Sequence, residues 1–133
     1  MSLIKPLIYI VDDDPDDREF IIQAFMANGF TGAFVEFDDG QKVLDYLKSY
    51  PIAYPDLIML DLNMPIKNGF ATLQDIKSNE FFPFVPIVIL TASSSTEDEK
   101  VSFQHGCEQY RQKPLSIEGY KELARSVTTF FQK

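Results

Sequence analysis

Three short runs constrain the fold more than anything else in this chain. Residues 7–11 (LIYIV), 57–60 (LIML) and 85–90 (VPIVIL) are apolar with no alternation. A strand with one wet face alternates polar and apolar positions, whereas a strand buried on both faces does not, and such strands lie in the middle of parallel sheets. Each run also stops at a polar residue: the first at Asp12-Asp13-Asp14, the second at Asp61, the third at Thr91. A carboxylate where a buried strand surfaces costs free energy unless a cation or donors meet it. Partners for Asp61 must therefore be sought elsewhere in the sequence, and Asp12-Asp13-Asp14, Thr91-Ala92 and Lys113-Pro114 are the candidates.

Between the strands lie segments of helical period. Asp14 is a good N-cap, Pro15 suits the first helical position, and Asp16, Asp17 and Glu19 favour the positive end of the helix dipole. Phe20, Ile21, Ala24 and Phe25 form the apolar stripe of this helix, and Asn28-Gly29 stops it. Residues 33–37 read as a short strand, residues 38–40 as a turn, and residues 41–50, with Val43, Leu44 and Leu47 on one face, as a helix that Pro51 helps to end. Residues 70–79 form a third helix around Leu73 and Ile76, and residues 80–86 a loop rich in Phe and Pro. Residues 96–106 open on TEDE as cap and acids and continue through Val101 and Phe103. Residues 108–113 form a short polar strand. Ser116 caps a last helix whose inward stripe is Tyr120, Leu123, Val127 and Phe130 or Phe131.

Strand then helix, five times over, predicts a doubly wound α/β domain with a five-stranded parallel sheet and helices on both faces. In such sheets ligands bind beyond the carboxyl ends of the strands, at the topological switch point. The acids, Asp61, Thr91 and Lys113 all fall at those ends, so four separate positions indicate one pocket.

Composition narrows what that pocket serves. The 133 residues, 45% hydrophobic, make one domain with a full core and leave no room for an attached output domain. A net charge of -8 argues against the phosphate-neutralising surface of a nucleic-acid binder and for cations and protein partners. The single cysteine, Cys107, excludes an internal disulfide and suits a reducing compartment. With no apolar span and no signal-peptide core, the expected location is the cytoplasm, away from membranes.

Carboxylates gathered within a few ångströms repel one another unless a hard cation lies among them. Mg²⁺ is the expected ion, since it prefers oxygen ligands and keeps several waters. Asp61 then has the character of a nucleophile toward a phosphoryl group, with Lys113 as a compact cation for the phosphoryl oxygens and the Thr91 hydroxyl as a donor. A flavodoxin-like binder of nucleotide or flavin would place a glycine-rich loop after the first strand, where Asp12-Asp13-Asp14 stands instead.

Together YIVDDD, LDLNMP followed three residues later by Gly69, LTA and KP resemble the receiver domain of two-component response regulators, over residues 7–131. The DDDPDD start, the loop at residues 81–86 and the aromatic tail look like stand-alone receivers of the phytochrome-associated type. The resemblance implies the flavodoxin-like strand order 2-1-3-4-5. It also implies that Asp61 is the phosphoacceptor, and that Asp12 and Asp13, Asp61 itself and the Asn63 backbone carbonyl hold Mg²⁺. Thr91 and Tyr110 would form the switch, Lys113 would bind phosphate, and Pro114 would follow a cis bond. Gly69 meets a need for a residue without Cβ before the third helix. The implied donor is a sensor histidine kinase or histidine phosphotransfer protein, and the implied output is a protein target or a homodimer. A phosphorelay intermediate and a non-phosphorylated binding module are the alternatives. One departure from the family concerns the last strand, Glu108-Gln109-Tyr110-Arg111-Gln112, which is polar where the family is usually apolar. That implies a partner surface different from the usual fourth-helix, fifth-strand, fifth-helix one.

Overall fold

Five strands alternate with five helices: β1 (Leu7–Val11), α1 (Pro15–Ala27), β2 (Ala33–Phe37), α2 (Gly40–Ser49), β3 (Leu57–Leu60), α3 (Gly69–Ser78), β4 (Ile87–Thr91), α4 (Thr96–Gln104), β5 (Gln109–Gln112) and α5 (Ile117–Val127). A 3-10 turn at Thr128–Phe130 follows α5. The computed structural model describes residues 5–50, 54–64, 66–79, 84–92 and 95–131. Pro51, Pro65 and most of the Phe- and Pro-rich loop, residues 80–83, lie outside the described residues.

The strands make one sheet in the order β2-β1-β3-β4-β5, with every pair parallel. Every residue of β3 and β4 is buried, as expected of unalternating apolar runs at the centre of a parallel sheet. Alternation divides their side chains between two cores. Ile8, Ile10, Leu57, Met59, Val88 and Leu90 pack under α1 and α5, while Tyr9, Val11, Ile58, Leu60, Ile87 and Ile89 pack under α2 and α3. Asp14 caps α1, its carboxylate accepting from the Asp16 amide at 2.9 Å, and Asp39, Asn68 and Ser116 cap α2, α3 and α5 in the same manner.

Some side chains depart from the sequence reading. Phe20 is 45% exposed and Phe103 48% exposed, so neither belongs to the inward stripe of its helix. Ile21, Ala24 and Phe25 fill the α1 side of the core without Phe20. On α4 the buried residue is Ser102, whose hydroxyl donates back to the Asp98 carbonyl at 2.8 Å. The cap of α4 is Ser95, one residue before TEDE, accepting from the Asp98 amide. Strand β4 begins after Pro86, which has no amide to donate, although its carbonyl accepts from the Ile58 amide at 2.9 Å. Phe130 and Phe131 are partly buried against the α1–α5 core, with Phe131 edge-on to Phe30.

The polar β5 is an edge strand, and its charges have definite partners. Glu108 accepts from the Ile87 amide at 2.6 Å and pairs with Lys77 at 3.0 Å, while Arg111 donates to the Ser126 hydroxyl on α5 at 2.9 Å. Polar side chains here tie the sheet edge to its neighbours and discourage pairing with another chain.

Candidate phosphoacceptor and cation site

The strand ladder continues one residue beyond the apolar runs, and that extension sets the pocket. The Asp12 amide donates to the Phe37 carbonyl at 3.0 Å, and the Asp61 amide to the Val11 carbonyl at 2.9 Å. Val11 is paired with Leu60, so Asp12 and Asp61 come side by side at the C-terminal edge of the sheet, 2% and 4% exposed. Asp13 is exposed beside them. One carboxylate oxygen from each of Asp12, Asp13 and Asp61 lies within 4.8 Å of the others.

Gly69 makes the turn out of β3 possible. Its amide donates to the Leu62 carbonyl at 2.9 Å, and a Cβ there would overlap the Asp61 carbonyl oxygen and stand 2.5 Å from Leu62 Cα. The requirement is close approach of backbones, since Gly69 is not among the residues with positive φ.

Lys113 reaches in from the end of β5. Its amide donates to the Thr91 carbonyl at 2.7 Å, which fixes its backbone beside β4. Its Nζ lies 2.9 Å from Asp12 Oδ2, 3.2 Å from Asp61 Oδ2 and 2.7 Å from Asp17 Oδ2. Burial alone would lower the pKa of this ammonium, but the hydrogen bonds to Asp17 and Asp12 outweigh it and the net displacement is upward. Burial pushes Asp12 up to about 6, against the lowering effect of the Asp14 amide and of Lys113. The Lys113–Pro114 bond is trans, as are all peptide bonds among the described residues, so the expected cis bond is not present. Trans is the lower-energy X–Pro isomer by about 0.5–1 kcal/mol, and the bond to Thr91 already delivers the lysine to the pocket.

Thr91 is fully buried, its hydroxyl accepting from Asn63 Nδ2 at 3.4 Å, while the Asn63 amide donates to Asp61 Oδ1 at 3.3 Å. Tyr110 is paired with Ile89, and alternation puts its side chain on the same sheet face as Thr91, where it packs partly buried against the α2–α3 core. The structure thus brings Asp12, Asp13, Asp61, Asn63, Thr91 and Lys113 together, with Tyr110 nearby.

Two participants escaped the sequence reading. The first-turn position of Asp17 indicates only a helix-dipole role, yet the carboxylate pairs with Lys113. The signal was its spacing, since Asp17 stands four residues before the buried Ile21 and so lies on the inward face of α1, where a charge needs a partner. Arg18 donates to the Asp12 carbonyl at 2.6 Å and to Glu36 at 2.9 Å, holding the start of α1 to the ends of β1 and β2. Its reach across the sheet left no trace in local spacing.

The family model for the response regulator receiver domain matches residues 8–125. The chain belongs to that family. The receiver domain is 31% identical over 128 residues to the probable methanogenesis regulatory protein FilR2 of Methanothrix harundinacea, covering 94% of this chain and 83% of that protein. It spans about a quarter of the length of the next curated relatives it matches. Among solved structures it is similar to the phosphorylated cyanobacterial phytochrome response regulator RcpA, with a TM-score of 0.86 and 28% identity over 96% of this chain and 94% of that one. The Mn²⁺-bound form of response regulator Rcp1 gives a TM-score of 0.83 and 25% identity, over 95% and 94%. These likenesses place the receiver domain in phosphorylation-based two-component signalling, where such domains interact with histidine kinases or phosphotransfer proteins and with downstream targets. No helix among the described residues is long and apolar enough to cross a membrane.

The residues present suit a divalent cation. All three clustered donors are hard carboxylate oxygens, Asp13 opens the group to water, and the pocket already draws a positive charge, the Lys113 ammonium, onto Asp12 and Asp61.

Proposed function

We propose that this receiver domain accepts a phosphoryl group on Asp61 from the phosphohistidine of a sensor histidine kinase or phosphotransfer protein, in a Mg²⁺-dependent reaction, and signals by binding a protein target. The observation that carries this reading is the packing of Asp12, Asp13 and Asp61 within 4.8 Å at the end of the sheet, with Asp61 in contact with Lys113. Asp12, Asp13 and Asp61, with the Asn63 carbonyl, would hold the cation. When bound, it offsets the repulsion between carboxylate and phosphoryl oxygens and orients the latter.

An Asp61 carboxylate oxygen attacks phosphorus, the phosphorus–nitrogen bond of the donor breaks, and the imidazole leaves with the electron pair and takes up a proton. Lys113 balances charge on the transferred group. The Thr91 hydroxyl gains a phosphoryl oxygen as partner in place of its long contact with Asn63, and Tyr110 on the same face follows it, which changes the surface offered to the target. The chemistry is that of a switch that is phosphorylated and hydrolyses its own acyl phosphate. It has no turnover substrate.

Intact-protein mass spectrometry after incubation with Mg²⁺ and acetyl phosphate tests the proposal. A single adduct of about 80 Da, absent in Asp61→Asn and absent in chelator, is the expected result for a carboxylate nucleophile that needs a metal. An adduct that persists in Asp61→Asn, or no adduct at all, overturns it.

A further inference from the structure

Lys113 touches three carboxylates, and only two of them belong to the cation group. Asp12 and Asp61 lie with Asp13 inside the 4.8 Å cluster, whereas Asp17 lies outside it and yet makes the shortest of the three contacts, at 2.7 Å. An ammonium has three N–H donors, so three acceptors saturate it. A cation held by Asp12, Asp13 and Asp61 repels an ammonium drawn up against two of those side chains, and the lysine must give way.

What it can fall back on is limited. The Lys113 backbone is tied to Thr91, so the side chain alone moves. Asp14 accepts from the Asp16 amide in its capping role, and Glu36 is engaged by Arg18. Asp17 is rooted in the inward stripe of α1, four residues from the buried Ile21, and is 22% exposed at its side chain.

We propose that Asp17 is a positioning residue: it retains Lys113 at the rim of the pocket when the cation enters, and so sets both the affinity for the cation and the place from which the ammonium meets a phosphoryl oxygen. This rests on reading Asp12, Asp13 and Asp61 as the cation-holding phosphoacceptor site. Without Asp17, the lysine stays on Asp12 and Asp61 and competes with the ion for the same oxygens.

The test is Mg²⁺ binding by isothermal titration calorimetry on the whole chain, in the unaltered protein, Asp17→Asn, Lys113→Met and the double variant, each checked for cooperative melting. Asp17→Asn is expected to weaken Mg²⁺ binding roughly fivefold or more, within the range of coupling between contacting residues. In the Lys113→Met background the same substitution changes affinity by less than about twofold, because Asp17 then has nothing to hold. Asp17→Glu, which keeps the charge, recovers most of the loss, and this arm does not depend on the folding of Lys113→Met.

Equal weakening by Asp17→Asn in both backgrounds would show a direct field effect of the carboxylate and overturn the proposal, as would unchanged affinity in the single variant. No saturable binding by the unaltered protein overturns the cation reading itself, and the role of Asp17 with it.

Discussion

Replacing Gly69 with alanine tests how tightly the fold and the site share one piece of backbone. The added Cβ would overlap the Asp61 carbonyl oxygen and stand 2.5 Å from Leu62 Cα and 2.9 Å from the Asp61 carbonyl carbon. Non-bonded carbons rest about 3.5–4.0 Å apart, so the end of β3 and the start of α3 must separate by roughly 1 Å. All three of the nearest atoms are backbone, so no side-chain rotation relieves the contact. Overpacking of this kind costs about 1–3 kcal/mol, and stretching the Gly69 amide to Leu62 carbonyl bond adds about 0.5–1.5 kcal/mol. The helix-favouring effect of alanine returns at most about 1 kcal/mol. The net is about 0.5–3.5 kcal/mol, centred near 2 kcal/mol, which corresponds to roughly 7 °C in melting temperature for a domain of this size. Because the displaced atoms belong to Asp61 itself, phosphoryl incorporation from acetyl phosphate should fall about 100-fold, the scale set by misplacing a reacting group by 1 Å. Thermal melting by circular dichroism and timed mass spectrometry read the two effects. A Gly69→Ala protein that melts within about 2 °C of the parent refutes the steric argument. One that loses stability yet is phosphorylated at the parental rate refutes the link between this backbone and the position of Asp61.

Asp12 predicts a pH dependence in the metal-free protein. Its folded pKa, about 6, is raised above the ordinary value of 3.8, so between about pH 4 and 6 the folded state holds a proton that the unfolded state has released. Stability from this group therefore falls as pH rises through that window, by at most about 3 kcal/mol. Denaturant titrations in chelator at pH 4.5 and 7 should show this difference between the parent and Asp12→Asn, and an equal offset at both pH values would contradict it. Cys107 is 6% exposed, and burial together with the Glu108 charge pushes its thiol up to about 11. Native protein at pH 8 should therefore resist a thiol-specific reagent that reacts fully after unfolding. Rapid stoichiometric labelling of the native state would count against the packing around α4 and β5.

The fold was legible because its strands carry no alternation and its helices carry caps. LIYIV, LIML and the IVIL segment admit little except the buried positions they occupy, and Asp14-Pro15 and Ser116 mark helix starts by local chemistry. The site was legible where its members end strands, as Asp12, Asp61 and Thr91 do. What could not be read were contacts that depend on two elements facing each other. Phe20 has helical spacing with Ala24, yet it lies at the surface with its ring against Tyr120 of α5. The spacing of Asp17 puts it on the inward face of α1, but that the cation it meets there is Lys113 shows only in the fold. The Lys113-Pro114 dipeptide is compatible with either isomer, and the structure has the trans one.

The raised pKa of Asp12 and the three contacts of Lys113 bear on one question, which is why a domain of marginal stability keeps this much charge out of water. Two carboxylates at 2% and 4% exposure are unfavourable by themselves, and the ammonium offsets only part of the cost, since Asp12 still takes up a proton about two pH units above the ordinary value. A cation bound at a hundred times its dissociation constant stabilises the folded state by about 2.7 kcal/mol. A cation among these oxygens also favours the ionised form of Asp12 over the protonated one. Metal binding should therefore remove most of the strain that the pH titration measures, and the Asp12-dependent slope of stability between about pH 4 and 6 should vanish or reverse in saturating Mg²⁺. A slope that survives saturation would mean that the ion is held elsewhere, and that Asp12 serves only to steady Lys113.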